Sequence, residues 1–438
     1  MQQSEQTVSE GYLRRYEEAV RRDPAAAPAL IAGWLRTDWR PLFAELRARR
    51  PVLSAPGLAL VTRSADVREV LSRWEVFTVA AYTDRLEGAL GGPVMLSRDA
   101  TPLHWRERGL LQVMLPPEDV PAVRELAGRA ADAALDAAAP HGRIEAVGGL
   151  FRHVALRVCA EYFGFPGPDE ATLSRWSREV ITDVTANLPG DPDVRAASAR
   201  AGSEMMDHLR EVLAARRAAP PGGPPAAPPG DVFDRLLRTT LPARAGVDDE
   251  RVLINVAALM LGFVENASGS LVHLVGELLS RPDAHARAAE AARDPDPARV
   301  DGHVWEALRF DPFLKVIARV SARDHLLAAG TPHATTVPAG TLVLAAAASA
   351  MFDADAVADP LDYRPGRPAD VYLHFGYGPH SCVGVHPGAA VICEVVRRLL
   401  RRPGVRLLPP PDGGVVRDRG VFPDRFVLGL GPSGEGSA

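Results

Sequence analysis

The chain has 438 residues, of which 47% are hydrophobic and 24% charged, and a formal net charge of −5 at pH 7. It is long enough to bury an extensive core, and its slight acidity supplies neither a basic footprint for nucleic acid nor a polybasic anchor for an anionic membrane. Three cysteines, Cys159, Cys382 and Cys393, are too sparse and odd a set for a disulfide framework.

In chain order, residues 1–27 begin with a polar, charged segment, MQQSEQTVSEGYLRRYEEAVRRD, which lacks the apolar run of a secretory signal. Apolar residues at three-and-four spacing start at Pro28, in PALIAGWLRTDWRPLFAELRARR. They return in VPAVRELAGRAADAALDAAA and SEMMDHLREVLAARRAA, all predicting helices. The Pro- and Gly-rich segment at 219–231 can form neither helix nor ladder. It reads as a surface loop within one large domain, because the helical patterns on its two sides are alike.

A long helix is expected from about Asp249 to Leu279; its apolar stretch, VLINVAALMLGFV, is too short for a membrane span and carries Asn255. Strand signals are short and scattered: PGLALVTR, TTVPAGTLVLAAA, VRLLPP and RFVLGL. The balance predicts a mainly α fold with small β-sheets, ending in a frayed tail at 431–438.

The most informative stretch is FGYGPHSCVG, residues 375–384. Gly376 and Gly378 allow backbone angles that other residues resist, and Pro379 stiffens the turn. The next residues, HPGAAVICEVVRRLLRR, predict a helix with Pro387 in its first turn and arginines at its far end. Cys382 therefore precedes a helix N-terminus, a setting that stabilises a thiolate. Cys159 and Cys393 fit no ligand pattern, and core packing is their expected role.

The complete pattern F-G-x-G-x-H-x-C-x-G, Phe375 through Gly384, resembles the haem-thiolate loop of the cytochrome P450 family. The resemblance runs from about residue 28 to 430 and implies a single mainly α haem domain of the cytochrome P450 fold, with haem b as cofactor. It makes Cys382 the axial thiolate ligand of the iron, sets Phe375 near the sulfur, and counts Gly384 among the cofactor-binding residues. His380 would reach a haem propionate, as would Arg319 and the pair His104 and Arg108 in TPLHWRERGLL. Glu306 and Arg309 form E-x-x-R, by spacing alone an i,i+3 surface pair worth a few tenths of a kcal/mol. The resemblance makes them a buried structural pair. Where the family adds an arginine, in ADPLDYRPGRP, this chain has Asp362, with Arg364 or Arg367 as the substitute.

The family usually shows A-G-x-[DE]-T on the oxygen-side helix, where this chain reads GFVEN, Gly262 to Asn266. Glu265 keeps the acid, and Asn266 stands in place of the alcohol. An amide orients water or a substrate oxygen through either end but does not relay a proton as a hydroxyl does. Glu265 and Asn266 are the expected catalytic pair. Leu259, Phe263, Val316 and Phe422 are expected to line the substrate.

The resemblance implies a soluble, cytoplasmic bacterial monooxygenase that hydroxylates, epoxidises or couples a small apolar molecule in natural-product tailoring. A separate ferredoxin and ferredoxin reductase would supply its electrons. Asn266 leaves open a haem-thiolate enzyme without normal dioxygen activation, such as a peroxygenase, coupling or isomerising enzyme. A third reading is a non-enzymatic haem-binding or partner-recruiting protein.

Overall fold

The computed structural model describes residues 11–187, 190–218, 230–241, 246–417 and 421–431. Most of the Pro- and Gly-rich segment and all but the first residue of the expected tail lie outside the described residues. The chain forms two compact units, each drawn from separate stretches of sequence. The first comprises Met1–Ala81, Leu314–Tyr363 and Arg367–Cys382, and the second Tyr82–Phe313, Arg364–Gly366 and Val383–Ala438.

The first unit is organised on a five-stranded sheet. Its strands, in spatial order, are Val52–Ala55, Leu58–Val61, Leu342–Ala345, Ile317–Ser321 and Phe77–Thr78. Leu58–Val61 is buried along its whole length and runs parallel to Leu342–Ala345, as expected for a strand covered on both faces. Ile317–Ser321 is antiparallel to Leu342–Ala345, with Arg319 opposite Val343. The helical pattern at 28–50 is divided into Ala27–Thr37 and Trp39–Arg49. Asp38 leaves the helix at φ −135° and ψ 28° and accepts a bond from the Thr37 hydroxyl, the local competition with helix that short polar side chains offer.

The second unit is built round the helix Asp249–Leu279, here called the central helix. Asp248 caps it by accepting from the Arg251 amide, and Asp249 and Glu250 complement the positive end of its dipole. By length and composition this helix could cross a membrane, but it is largely buried within the fold, as a core helix is. Against it pack the helices Glu170–Ala186, Pro192–Ala218, Ala298–Phe310 and Val385–Leu400. Val385–Leu400 also pairs with Val120–Ala138, where Arg398 reaches Asp132 at 2.5 Å and Arg402 reaches the same carboxylate at 2.8 Å. A small sheet joins Arg425–Gly429 to Arg143–Glu145, Val415–Val416 and Arg406–Leu407. Two π-helical turns, Val147–Arg152 and Cys159–Phe163, carry no sequence signal of their own.

Candidate functional site

In the first unit, the segment around Cys382 is a tight loop with left-handed turns at both glycines, φ 73° at Gly376 and 74° at Gly378. A Cβ at Gly378 would stand 2.5 Å from the Leu71 carbonyl oxygen, so glycine is required there for close approach as well as for backbone angle. The Cys382 amide donates to the Phe375 carbonyl at 2.8 Å and the Ser381 amide to Gly378 at 3.0 Å, closing the loop on itself. Cys382 is exposed, whereas Cys159 and Cys393 are buried. Burial pushes the thiols of Cys159 and Cys393 far above the ordinary range, so both stay protonated and act as small apolar side chains. Phe375 and His380 are half-buried beside the exposed sulfur's loop, and Arg319 is buried in its strand with its guanidinium donating to the Ala318 carbonyl at 2.8 Å.

In the second unit, Glu306 and Arg309 are both fully buried. Arg309 donates twice to the carboxylate, at 3.0 and 2.7 Å, and the Arg364 main-chain amide adds a third bond at 2.9 Å. The pair is thus internal rather than a surface i,i+3 bridge, and Arg364 joins it through its backbone. Arg367, in the first unit, donates to the carbonyls of Ala358, Asp359 and Asp362, at 2.6, 2.8 and 2.8 Å. Asp362 takes part in that interaction through its main chain.

The helix Pro102–Met114 carries His104 and Arg108 four residues apart, which sets them on one face. His104 is buried, and its Nδ1 lies 3.0 Å from the Met95 carbonyl, fixing the plane of the ring. Between them in sequence, Glu107 is fully buried and takes two bonds from Arg251, both at 2.7 Å, tying this helix to the start of the central one. Burial raises the Glu107 carboxyl above its ordinary range despite the arginine. No sequence pattern pointed to this pair.

One stripe of the central helix stays accessible in its buried middle: Ala258, Gly262, Asn266 and Ser270, at four-residue spacing. Gly262 is exposed, and a Cβ built on it would meet nothing within 4 Å. Asn266 donates from its side-chain nitrogen to the Gly262 carbonyl at 2.8 Å. Glu265, expected to act alongside Asn266, turns to the other side of the helix. It is 1% exposed, with Arg152 at 2.9 Å and Arg178 at 3.0 Å. Arg178 in turn lies over the Phe422 ring at 5.1 Å and donates to the Pro423 carbonyl at 2.9 Å.

Of the expected substrate-lining residues, Leu259 and Phe263 are nearly buried, with the Phe263 ring edge-on to Phe163 at 5.1 Å. Phe422 is buried against Phe313, 5.7 Å between ring centres, and Val316 is half-buried in the first unit. Phe313 fits against Gly269, where a Cβ would lie 2.6 Å from its ring. Arg152 and Arg178 were not expected from sequence, because each acquires its meaning only from a partner distant in the chain.

The family model described as Cytochrome P450 matches residues 193–401. The chain is 28% identical to a vitamin D(3) 25-hydroxylase of Pseudonocardia autotrophica, covering 81% of this chain and 84% of that protein. It is 27% identical to the cytochrome P450 monooxygenase PikC of Streptomyces venezuelae, over 95% of this chain and 96% of that one. A ligand-free structure of cytochrome P450 TbtJ1 superposes with a TM-score of 0.73 at 25% identity, covering 89% of this chain and 97% of that one.

Along most of its length the chain is similar to cytochrome P450 proteins.

Its fold is the cytochrome P450 fold, its cofactor is haem b, and it is an oxidoreductase. Residues of the first unit fit that cofactor by their chemistry: an exposed cysteine sulfur on a tight loop, with His380 and Arg319 in the same unit. A soft sulfur suits the iron, and histidine and arginine donors suit a carboxylate.

Proposed function

We propose that this P450 is a monooxygenase that hydroxylates, epoxidises or oxidatively couples a small apolar molecule, with Cys382 as the iron's thiolate ligand. The observation that carries the reading is the contrast among the three cysteines: the one in the glycine-framed loop is exposed, and the other two are buried. When bound, a thiolate-ligated haem supplies oxygen activation, the sulfur pushing electron density toward the metal.

The chain's own residues supply binding, orientation and protons. Arg319 and His380 in the first unit, and His104 and Arg108 in the second, would each be suited to a charge-assisted hydrogen bond with a haem propionate. Glu306 and Arg309 hold their part of the core rigid. Glu265, held by two arginines, acts as a positioning residue on the central helix. Asn266 orients water or a substrate oxygen. Leu259, Phe263 and Phe422 of the second unit would contribute the apolar surface that a small-molecule site requires.

The name of one relative, vitamin D(3) 25-hydroxylase, supports an apolar substrate, and the role we read for the enzyme is tailoring in natural-product biosynthesis. The reading includes a cytoplasmic enzyme served by a ferredoxin and its reductase. Turnover of a substrate panel with a surrogate ferredoxin system under labelled dioxygen tests it, with one labelled oxygen atom expected in a hydroxylated or epoxidised product. Asn266 favours a second reading, a peroxide-driven enzyme. On that reading, hydrogen peroxide alone sustains faster turnover than dioxygen with electrons.

A further inference from the structure

The amide of Asn266 has a defined orientation. Its nitrogen lies 2.8 Å from the Gly262 carbonyl oxygen. The flipped amide would set two carbonyl oxygens against each other at that distance with no hydrogen between them, so the nitrogen belongs to the helix. The end not committed to the helix is the amide oxygen, an acceptor with two lone pairs. It stands on the accessible stripe whose other members are Ala258, Gly262 and Ser270, beside an exposed glycine with open space over it. The neighbouring acid does not compete, because Glu265 is turned away and engaged by Arg152 and Arg178.

We propose that Asn266 is a specificity-determining residue: its side-chain oxygen takes a hydrogen bond from a hydroxyl or N–H group of the substrate. This deepens the monooxygenase reading and rests on it, since it assumes that substrate lies along the accessible stripe of the central helix. The substrates of this enzyme are then apolar molecules bearing at least one donor, and hydrocarbons or fully etherified analogues of the same shape bind less well. A buried acceptor left without a donor is a sizeable penalty, so discrimination against the donor-free analogue is built into the site.

The experiment uses probes anchored to the haem of the purified holoenzyme: 4-phenylimidazole, its ortho-, meta- and para-hydroxyphenyl counterparts, and the three methyl ethers. Dissociation constants are read from the Soret shift on imidazole coordination. At least one hydroxy isomer is expected to bind roughly fivefold to tenfold tighter than 4-phenylimidazole, the range of one net hydrogen bond. Its methyl ether should lose that gain. In Asn266→Ala and Asn266→Leu, each checked for an unchanged unfolding midpoint, the preference is expected to fall to about one. The proposal is overturned if no hydroxy isomer gains over the parent, or if the gain survives in Asn266→Ala. Failure of the underlying haem reading is distinguishable, because then none of the imidazoles would shift the Soret band.

Discussion

Arg178 stands 3.0 Å from the carboxylate of Glu265, tying the helix Glu170–Ala186 to the middle of the central helix. Arg152 meets the same carboxylate from a π-helical turn, so one acid holds three elements of the second unit together. Removing one partner of a buried ion pair leaves an uncompensated charge and costs about 3–5 kcal/mol. Glu265→Ala is therefore expected to lower stability by about 3 kcal/mol in urea unfolding, with Glu265→Gln less damaging. An effect within about 0.5 kcal/mol would place Glu265 with ordinary surface acids.

The Glu306 and Arg309 pair, both fully buried, invites a stronger version of that experiment. Either single substitution to alanine strands the other charge, whereas Glu306→Leu with Arg309→Met removes both. The singles are expected to cost about 3–5 kcal/mol each and the double considerably less than their sum. Strict additivity in the double-mutant cycle would contradict the pairing.

Two glycines of the cysteine loop should respond differently to alanine. Gly376 and Gly378 share the left-handed backbone, but the nearest atom to a Cβ at Gly376 is 3.8 Å away, against 2.5 Å at Gly378. Gly376→Ala carries only the backbone penalty of about 1–2 kcal/mol. Gly378→Ala adds a clash with the Leu71 carbonyl and is expected to lose much of the bound haem on purification, measured as haem absorbance per protein. Equal haem retention in the two variants would count against the loop geometry.

Much of this was legible in the sequence, and the limits have physical causes. The central helix announces itself because a buried 31-residue helix needs a long apolar pattern with acids at its start, and its expected limits, Asp249 and Leu279, are those observed. The cysteine loop is legible because a tight turn dictates residue type position by position. Glu306 and Arg309 are marked as a pair by their three-residue spacing.

The sequence does not say that Glu265 is claimed by Arg152, 113 residues away, since a long-range ion pair leaves no local pattern. Nor does it show that Glu265 and Asn266, adjacent in the chain, face different surroundings. A helix turns 100° per residue, and only the packed structure decides which of those directions is accessible. The two-residue strand Phe77–Thr78 is too short for alternation to be read, and the break at Asp38 overrides an apolar spacing that runs through it.

Cysteine chemistry separates the three sulfurs directly. In haem-free protein at neutral pH, iodoacetamide is expected to alkylate Cys382 readily. Cys159 and Cys393 should react only after unfolding, because burial both shields them and raises their thiols. Raising the pH within the range where the fold survives should not change that order. Mass spectrometry of the peptides checks it, and early modification of Cys159 or Cys393 would contradict the assignment of the two as core residues.

The central claim is that Cys382 is the thiolate ligand of the haem iron, and the absorption spectrum of the reduced protein under carbon monoxide tests it most directly. The account predicts the strongly red-shifted Soret band of thiolate-ligated haem in the wild type and its loss in Cys382→Ala, with Cys159→Ala and Cys393→Ala retaining it. A wild-type spectrum without that band, or a band that survives in Cys382→Ala, would contradict it.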